Sequence, residues 1–137
     1  VYSKNIFMKY IYILTLLILL PLRSHAEIKT THYFCKMNTK FYETDKNEWS
    51  QKNIDYDFYV EDNINIRIFD KQIKDYIDTL DILINNDDAL VGYFLNDKMI
   101  NIFTFNKISH SAKYSNMYFH ELGGGQIGVG QCYPRYV

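Results

Sequence analysis

Short runs of alternating apolar and polar residues, each closed by turn-forming residues, constrain this chain more than any other feature. In the clearest run, every second residue from Ile54 to Val60 is apolar, and Asp55 and Asp57 lie between them. A period of two is typical of a β-strand with one buried and one solvated face. The alternation resumes at residues 64–68 after the polar residues 61–63, which predicts an antiparallel hairpin.

Similar runs recur through the rest of the chain from residue 30 onwards. They predict further strands at 30–38, 80–84, 89–95, 99–106, 109–119 and 126–133. Clusters of Asn and Asp separate several of them, and these residue types favour turns. Regularly spaced short strands joined by turns are typical of an antiparallel meander. We therefore expect a mostly β fold, a small antiparallel β-barrel or sandwich of about seven or eight strands.

Residues 70–79 form the segment in which a helical pattern competes with a strand pattern. Apolar residues recur there at helical spacing, at Ile73, Tyr76, Ile77 and Leu80. Asp70 is of a residue type that caps helix N-termini. The pattern predicts one short helix over this segment.

The first 26 residues follow the order of a secretory signal. Basic residues precede an apolar run from residue 11 to residue 20, and Ser24 and Ala26 supply the small side chains that signal peptidase requires. We predict a signal helix over 1–26 and cleavage between Ala26 and Glu27. An uncleaved anchor is the alternative, and residues 1–7 can be an over-extended start because Met8 follows them.

Removal of residues 1–26 leaves residues 27–137, a length of 111 that supports a single β domain. The apolar run of the signal is too short to span a bilayer, so we expect no membrane association after cleavage. The remaining 12 basic and 16 acidic side chains include no basic block, which argues against nucleic acid as a partner. The expected location is periplasmic or extracellular.

Two cysteines lie near the two ends of the predicted domain. Cys35 lies on the inward face of the first predicted strand, and Cys132 lies in the last strand. A cysteine pair in an oxidising compartment is expected to form a disulfide. The alternative is two free thiols or a metal site, for which no further ligands stand at useful spacing. We predict a disulfide that ties the first strand to the last.

Residues 123–128 match the letters of a dinucleotide-binding fingerprint. That motif requires a strand before it and a helix after it, because the pyrophosphate binds at the helix N-terminus. A strand is predicted to follow here, and glycines in a strand allow another backbone or a bulky side chain to approach closely. No cofactor is therefore predicted.

The histidines of the predicted domain, His32, His110 and His120, are isolated from one another in the sequence. His120 is followed by Glu121 as in zinc proteases, but Gly124 replaces the second histidine of that motif, so no metal site is predicted. Pairs of acidic residues lie on strands or at turns, where they are usually solvated. A small secreted hydrolase remains the alternative function, with a site that the fold would have to assemble from His and Asp or Glu.

Aromatic side chains gather at residues 56–59, 93–94, 103–105 and 114–119. Most of them must fill the core of so small a domain, and Trp49 is expected to fold back onto it. Aromatic side chains left outside would form a face for an extracytoplasmic protein or a glycan. The main prediction is therefore a non-enzymatic binding or structural module.

The predicted design resembles that of the small periplasmic lysozyme-inhibitor barrels. Those proteins have a signal peptide, an early Tyr-x-Cys strand and a late cysteine, which here correspond to residues 33–35 and Cys132. They also carry a Ser-Gly-x-x-Tyr inhibitory loop. The nearest string here, Ser111 to Tyr114, lacks the glycine and the spacing, so the resemblance assigns no inhibitory residues.

Overall fold

Eight antiparallel strands form a closed barrel in the computed structural model, which describes residue 27, residues 29–119 and residues 124–136. The strands are β1 (Thr30–Glu43), β2 (Glu48–Glu61), β3 (Asn65–Asp70), β4 (Asp75–Asn85), β5 (Ala89–Leu95), β6 (Met99–Asn106), β7 (Ser111–Tyr118) and β8 (Gly125–Arg135). Each strand pairs with the next, and β8 pairs with β1. This confirms the predicted mostly β antiparallel fold, and of the two predicted architectures, barrel and sandwich, the structure has the barrel. The predicted signal helix over 1–26 lies outside the described residues, which contain no helix long and apolar enough to span a membrane.

Inward-facing side chains fill the lumen of the barrel. The alternation in β2 is realised as predicted, since every second residue from Ile54 to Val60 is buried. Phe58 stacks on Phe103 of β6 with ring centroids 4.1 Å apart. Eight strands enclose a space that side chains can fill completely. A protein partner would therefore contact the outside of the barrel.

One end of the lumen is polar. The Asp78 carboxylate accepts hydrogen bonds from the hydroxyl of Tyr114, at 2.9 Å, and from the side-chain amide of Asn101. Burial, together with the nearby charge of Asp78, raises the pKa of Tyr114 well above its usual value. Burial likewise raises the pKa of Tyr56 to about 12.

The structure corrects the predicted helix over 70–79. Residues 71–74 form a turn, and β4 begins at Asp75. Asp70 does cap backbone N–H groups, those of Gln72 at 2.8 Å and Ile73 at 3.3 Å, but the cap closes a β-turn. Lys74 ends this turn with a φ of 56°, which is incompatible with a continuing α-helix.

The barrel is closed by the pairing of β1 with β8, in which Cys35 and Cys132 are Cα partners. These two residues form a disulfide across a sequence separation of 97, and both are fully buried. Gly130, two residues before Cys132, allows β8 to lie against the backbone of β1 at Lys36 and Met37. An intramolecular disulfide is compatible with an oxidising location.

The hairpin of β1 and β2 extends beyond the barrel. The two strands pair with each other as far as Glu43 and Glu48, whereas β3 pairs only with residues 56–61 of β2. Trp49 lies near the tip of this extension, where its ring packs edge-on against Tyr42 with centroids 5.5 Å apart. The prediction that Trp49 folds onto the core is therefore wrong, because its side chain is 58% exposed.

Candidate functional site

The outer face of β8, β1, β2, β3 and the start of β4 carries a continuous set of aromatic and cationic side chains. Alternate residues of a strand point to the same side of a sheet, and the register aligns these outward residues across five strands. We call this surface the aromatic–cation face; its members are His32, Phe34, Lys36, Asp57, Tyr59, Arg67, Phe69, Lys71, Tyr76, Tyr133 and Arg135.

Three cations surround the ring of Phe34 at the centre of this face. The Arg135 guanidinium carbon lies 4.5 Å from the ring centroid, and the amines of Lys71 and Lys36 lie 4.9 Å and 5.8 Å from it. They come from β8, the turn after β3, and β1. Cations within about 6 Å of an aromatic face are attracted by the ring quadrupole. Each attraction offsets part of the repulsion between these three like charges.

A histidine–aspartate pair lies beside Phe34. His32 Nε2 is 2.8 Å from the Oδ1 atom of Asp57, and the His32 ring stacks on Tyr59 with centroids 4.5 Å apart. Asp57 is only 6% exposed, and its Oδ2 atom lies 4.0 Å from the Lys71 amine. Burial and the charge of Asp57 raise the pKa of Tyr59, while Arg135 acts in the opposite direction. The buried carboxylate therefore orients both His32 and Lys71.

A second aromatic group continues the face onto β3 and β4. The Arg67 guanidinium carbon lies 4.0 Å from the ring centroid of Tyr76, which also contacts Phe69 edge-on with centroids 5.2 Å apart. Arg67 pairs with Glu61 at 3.2 Å. Because Tyr76 is exposed, its ring and the neighbouring Arg67 guanidinium form an aromatic and cationic surface that is open to solvent.

Two open depressions on the outside of the barrel are lined by neighbours of Phe34 on β1, His32 on one side and Lys36 on the other. A cleft of about 370 Å³ is lined by His32, Tyr59 and Arg135, among others. A groove of about 560 Å³ on the other side is lined by residues that include Lys36 and Tyr133. Both are open to solvent, so an occupant would lie along the face rather than be enclosed by it.

The two histidines of the predicted domain that the structure describes, His32 and His110, have different surroundings. His32 meets Asp57, whereas His110 stacks on Tyr133 with ring centroids 4.9 Å apart. His120 and Glu121 lie outside the described residues. Within the ranges that the structure describes, no group of three or more His, Cys, Asp or Glu side chains is arranged to hold a metal ion.

The string that was compared with an inhibitory loop is part of a strand. Ser111 opens β7, and Ala112 and Tyr114 point into the lumen and are buried. The glycine-rich residues 125–128 belong to β8, so a strand follows the apparent fingerprint, as predicted. Neither segment presents the geometry of its motif.

The cations around Phe34 were not identified from the sequence as a group. The alternation in β1 does predict that His32, Phe34 and Lys36 share a face, and the structure has all three facing outward. Lys71 and Arg135 come from distant points of the chain and have no local pattern. A signal for Arg135 would have required the register of β8 on β1, and a signal for Lys71 the register of β3 on β2.

No protein-family model matches the chain, and no curated protein shows significant sequence similarity to it.

Proposed function

We propose that this protein is a non-enzymatic extracytoplasmic binding module that holds an acidic protein partner against its aromatic–cation face. The observation that carries the proposal is the convergence of Lys36, Lys71 and Arg135 on Phe34. Lys36 and Arg135 are exposed and gain little for folding, because exposed charges contribute little to stability, whereas Lys71 also lies 4.0 Å from the buried Asp57 carboxylate. A binding role gives their clustering a physical reason.

The charge of the face favours an acidic partner. Among the described residues, neither Lys36 nor Arg135 forms an ion pair with a carboxylate of the same chain. The whole chain has a formal charge of −1, so the cluster is not a by-product of a basic composition. Complementary charge steers association and fixes the orientation of the partner.

The shape and residue types of the face favour a protein over a glycan. Sites for small ligands generally enclose most of the ligand, whereas the depressions on this face are open to solvent. Tyr and Arg are enriched among the residues that dominate the binding energy of protein interfaces, and this face presents Tyr76, Tyr133 and Arg135 to solvent.

The extracytoplasmic location is supported by two features of the chain. The order of residues in 1–26 is that of a secretory signal. The disulfide between Cys35 and Cys132 would persist in an oxidising compartment.

A photo-crosslinking experiment tests the proposal. A benzophenone amino acid replaces Tyr133 in the exported protein, and adducts formed in the source cells are identified by mass spectrometry. We expect one dominant adduct with an acidic protein. In the variant Lys71→Glu/Arg135→Glu its yield should fall at least about ten-fold, because charge complementarity becomes repulsion.

The matched control is Lys98→Glu/Lys113→Glu, which changes the net charge equally on exposed residues away from the face. The control should retain the adduct. Equal adduct yields in the two double variants would refute the proposal. The purified protein could instead be retained on polygalacturonate, with this retention lost in Lys71→Glu/Arg135→Glu. If the crosslinking experiment also gave no protein adduct, an acidic glycan would be identified as the ligand.

The hydrolase alternative has one specific observation in its favour. His32 and the buried Asp57 form a hydrogen-bonded pair at the edge of the cleft beside Phe34, and such a pair can act as a general base. The activity would be established if the purified protein hydrolysed ester, peptide or glycoside substrates and the variant His32→Gln did not. Absence of turnover in both proteins would exclude it.

A further inference from the structure

The N-terminal part of β2 has an edge with which no described strand pairs. The Asp55 carbonyl accepts a hydrogen bond from the Lys71 backbone N–H at 3.1 Å, and the Asn53 carbonyl accepts one from the Gln72 side chain at 3.1 Å. N-terminal to Asn53, no strand of the described chain pairs with the edge of β2 that faces away from β1. We call residues 48–52 the free edge.

The free edge offers two sets of backbone groups to solvent. In an antiparallel strand, alternate residues direct both N–H and C=O to the same side. Asp55 and Asn53 direct their carbonyls away from β1. Because alternate residues behave alike, Gln51 and Trp49 direct theirs to the same side. An edge of this kind is a template for strand addition by another chain.

We propose that two copies of this chain pair antiparallel through the free edge, with the two-fold axis at Ser50. In that register Glu48 of each copy lies opposite Lys52 of the second copy, which gives two ion pairs. Trp49 of each copy lies opposite Gln51 of the second copy. These are the residues with free N–H and C=O groups, so four backbone hydrogen bonds form.

The sequence of the free edge, Glu-Trp-Ser-Gln-Lys, inverts its charge about Ser50. A two-fold interface requires self-complementarity of this kind, because the same patch serves both partners. Exposed edges that are protected against pairing usually carry charges that repel a second copy. Here the charges attract a second copy in one register.

Other symmetric registers are less favourable. An axis at Gln51 would require the Asn53 carbonyl, which the Gln72 side chain already occupies. An axis at Trp49 would require Asn47 to be extended, but Asn47 has a φ of 52° in the turn between β1 and β2. That axis would also bring Lys52 opposite Lys46 of the second copy.

The exposed Trp49 lies on the same side of the sheet as Gln51, so in the dimer its ring covers the Gln51 side chain of the second copy. Trp is the residue type most enriched among those that dominate interface energies. The interface is nevertheless short, below the size of stable dimers. We therefore expect a concentration-dependent monomer–dimer equilibrium rather than a permanent dimer.

Charge reversal at the free edge tests the pairing directly. Sedimentation velocity across about 5 to 500 μM should show a dimer that forms at the upper concentrations. Glu48→Lys alone and Lys52→Glu alone should each lower the association constant at least about ten-fold, because like charges then face each other. An equimolar mixture of the two single variants should restore the dimer. In the mixed dimer the two introduced side chains, which have opposite charges, face each other, and the two native side chains form the second ion pair.

The double variant Glu48→Lys/Lys52→Glu inverts both charges and should dimerise like the parent chain. Lys113→Glu, on the outside of β7, is the control and should change nothing. These side chains are exposed, so the variants should keep their fold, which far-ultraviolet circular dichroism checks.

A chain that stays monomeric up to about 500 μM would overturn the proposal, as would single variants that dimerise like the parent or a mixture that stays monomeric. The register has a separate check, because Ser50→Cys should form an intermolecular disulfide about the axis and Gln51→Cys should not. Cross-linking of both variants with equal yield would refute this register.

Discussion

Replacement of Gly130 by Ala should open the seam between β1 and β8. A Cβ atom built on Gly130 would overlap the Lys36 carbonyl oxygen and would lie 2.8 Å from both the Lys36 carbonyl carbon and the Met37 Cα atom. Carbon atoms in contact are normally about 3.5–4.0 Å apart. The two backbones would have to separate by roughly 0.7 Å or more, since backbone atoms cannot rotate away as a side chain can.

The cost follows from the hydrogen bonds of the β1–β8 ladder around Gly130. A separation of this size moves N···O distances of about 2.9 Å beyond the range of a hydrogen bond. Loss of two such bonds, with the buried groups left unsatisfied, costs about 2–6 kcal/mol. The reduced freedom of Ala in the unfolded chain offsets about 0.4–1 kcal/mol of this. We expect a net destabilisation of about 3 kcal/mol.

Gly128→Ala is the matched control on the same strand and the same inward side. A Cβ atom there would lie 3.1 Å from Thr39 Oγ1 and 3.2 Å from Met37 Sδ, both in side chains. Small rotations relieve these contacts, so we expect a change within about 1 kcal/mol. The two variants thus differ in whether the added methyl meets a backbone or a side chain.

Urea denaturation of both variants with the disulfide intact gives the measurement, through the midpoint and the slope. Gly130→Ala should have a clearly lower midpoint than both the parent and Gly128→Ala. Equal free energies of unfolding for the two variants would show that the β1–β8 seam tolerates a side chain at Gly130 and would refute the reasoning.

Three further predictions concern the disulfide, the buried tyrosines and the exposed tryptophan. Replacement of both Cys35 and Cys132 by Ala should lower the free energy of unfolding by about 4–5 kcal/mol, and a loss below about 1 kcal/mol in urea would contradict this. Tyr56 and Tyr114 have pKa values raised above 10.0, so the unfolded chain loses these protons first. The contribution of these tyrosines to the free energy of unfolding should be full below about pH 10 and should fall towards about pH 12, by at most about 1.4 kcal/mol per pH unit for each tyrosine. A free energy of unfolding that stays constant over this pH range in urea denaturation would contradict this. Fluorescence of Trp49 in dilute solution should be that of a water-exposed indole and readily quenched by iodide, and protection from iodide would contradict the exposed position.

Most of the barrel could be predicted from the sequence because its strands are solvated on one side. In β2, the buried residues from Ile54 to Val60 alternate with polar ones, and the turn after Glu61 is marked by polar residues. Such a pattern depends only on the period of the strand and the position of the core. The closure of the barrel is less local, and only the positions of Cys35 and Cys132 indicated that the first and last strands meet.

The helix predicted over residues 70–79 is wrong because β4 contains a β-bulge. Strand β4 shifts register opposite Ile68 and Phe69, so Tyr76 pairs with Phe69 while Asp78 pairs with Ile68, and Ile77 is the extra residue. An inserted residue breaks the period of two and brings apolar residues to a spacing like that of a helix. The inward Asp78 adds to the ambiguity, because only tertiary structure supplies its partner Tyr114.

The aromatic–cation face could be predicted only in part for a related reason. The outward side of β1 can be read from its alternation, but the cations at Lys71 and Arg135 reach Phe34 through pairings across the barrel. The polar residues around Trp49 are compatible with a surface position, but its large aromatic ring favoured the core. An aromatic residue in a polar stretch packs on the core in most small domains, and here the long β1–β2 hairpin carries it away.

The two proposed surfaces are related by the geometry of the sheet. Antiparallel pairing places opposite residues on the same side of a sheet, so a two-fold axis at Ser50 directs the outward sides of both β2 strands to one side. Asp57 and Tyr59 lie on that outward side, and with them the aromatic–cation face of each copy. A dimer would therefore present two such faces towards the same surface. A weak dimer of this form gains affinity for a partner that displays repeated acidic sites, since binding of the second face becomes intramolecular.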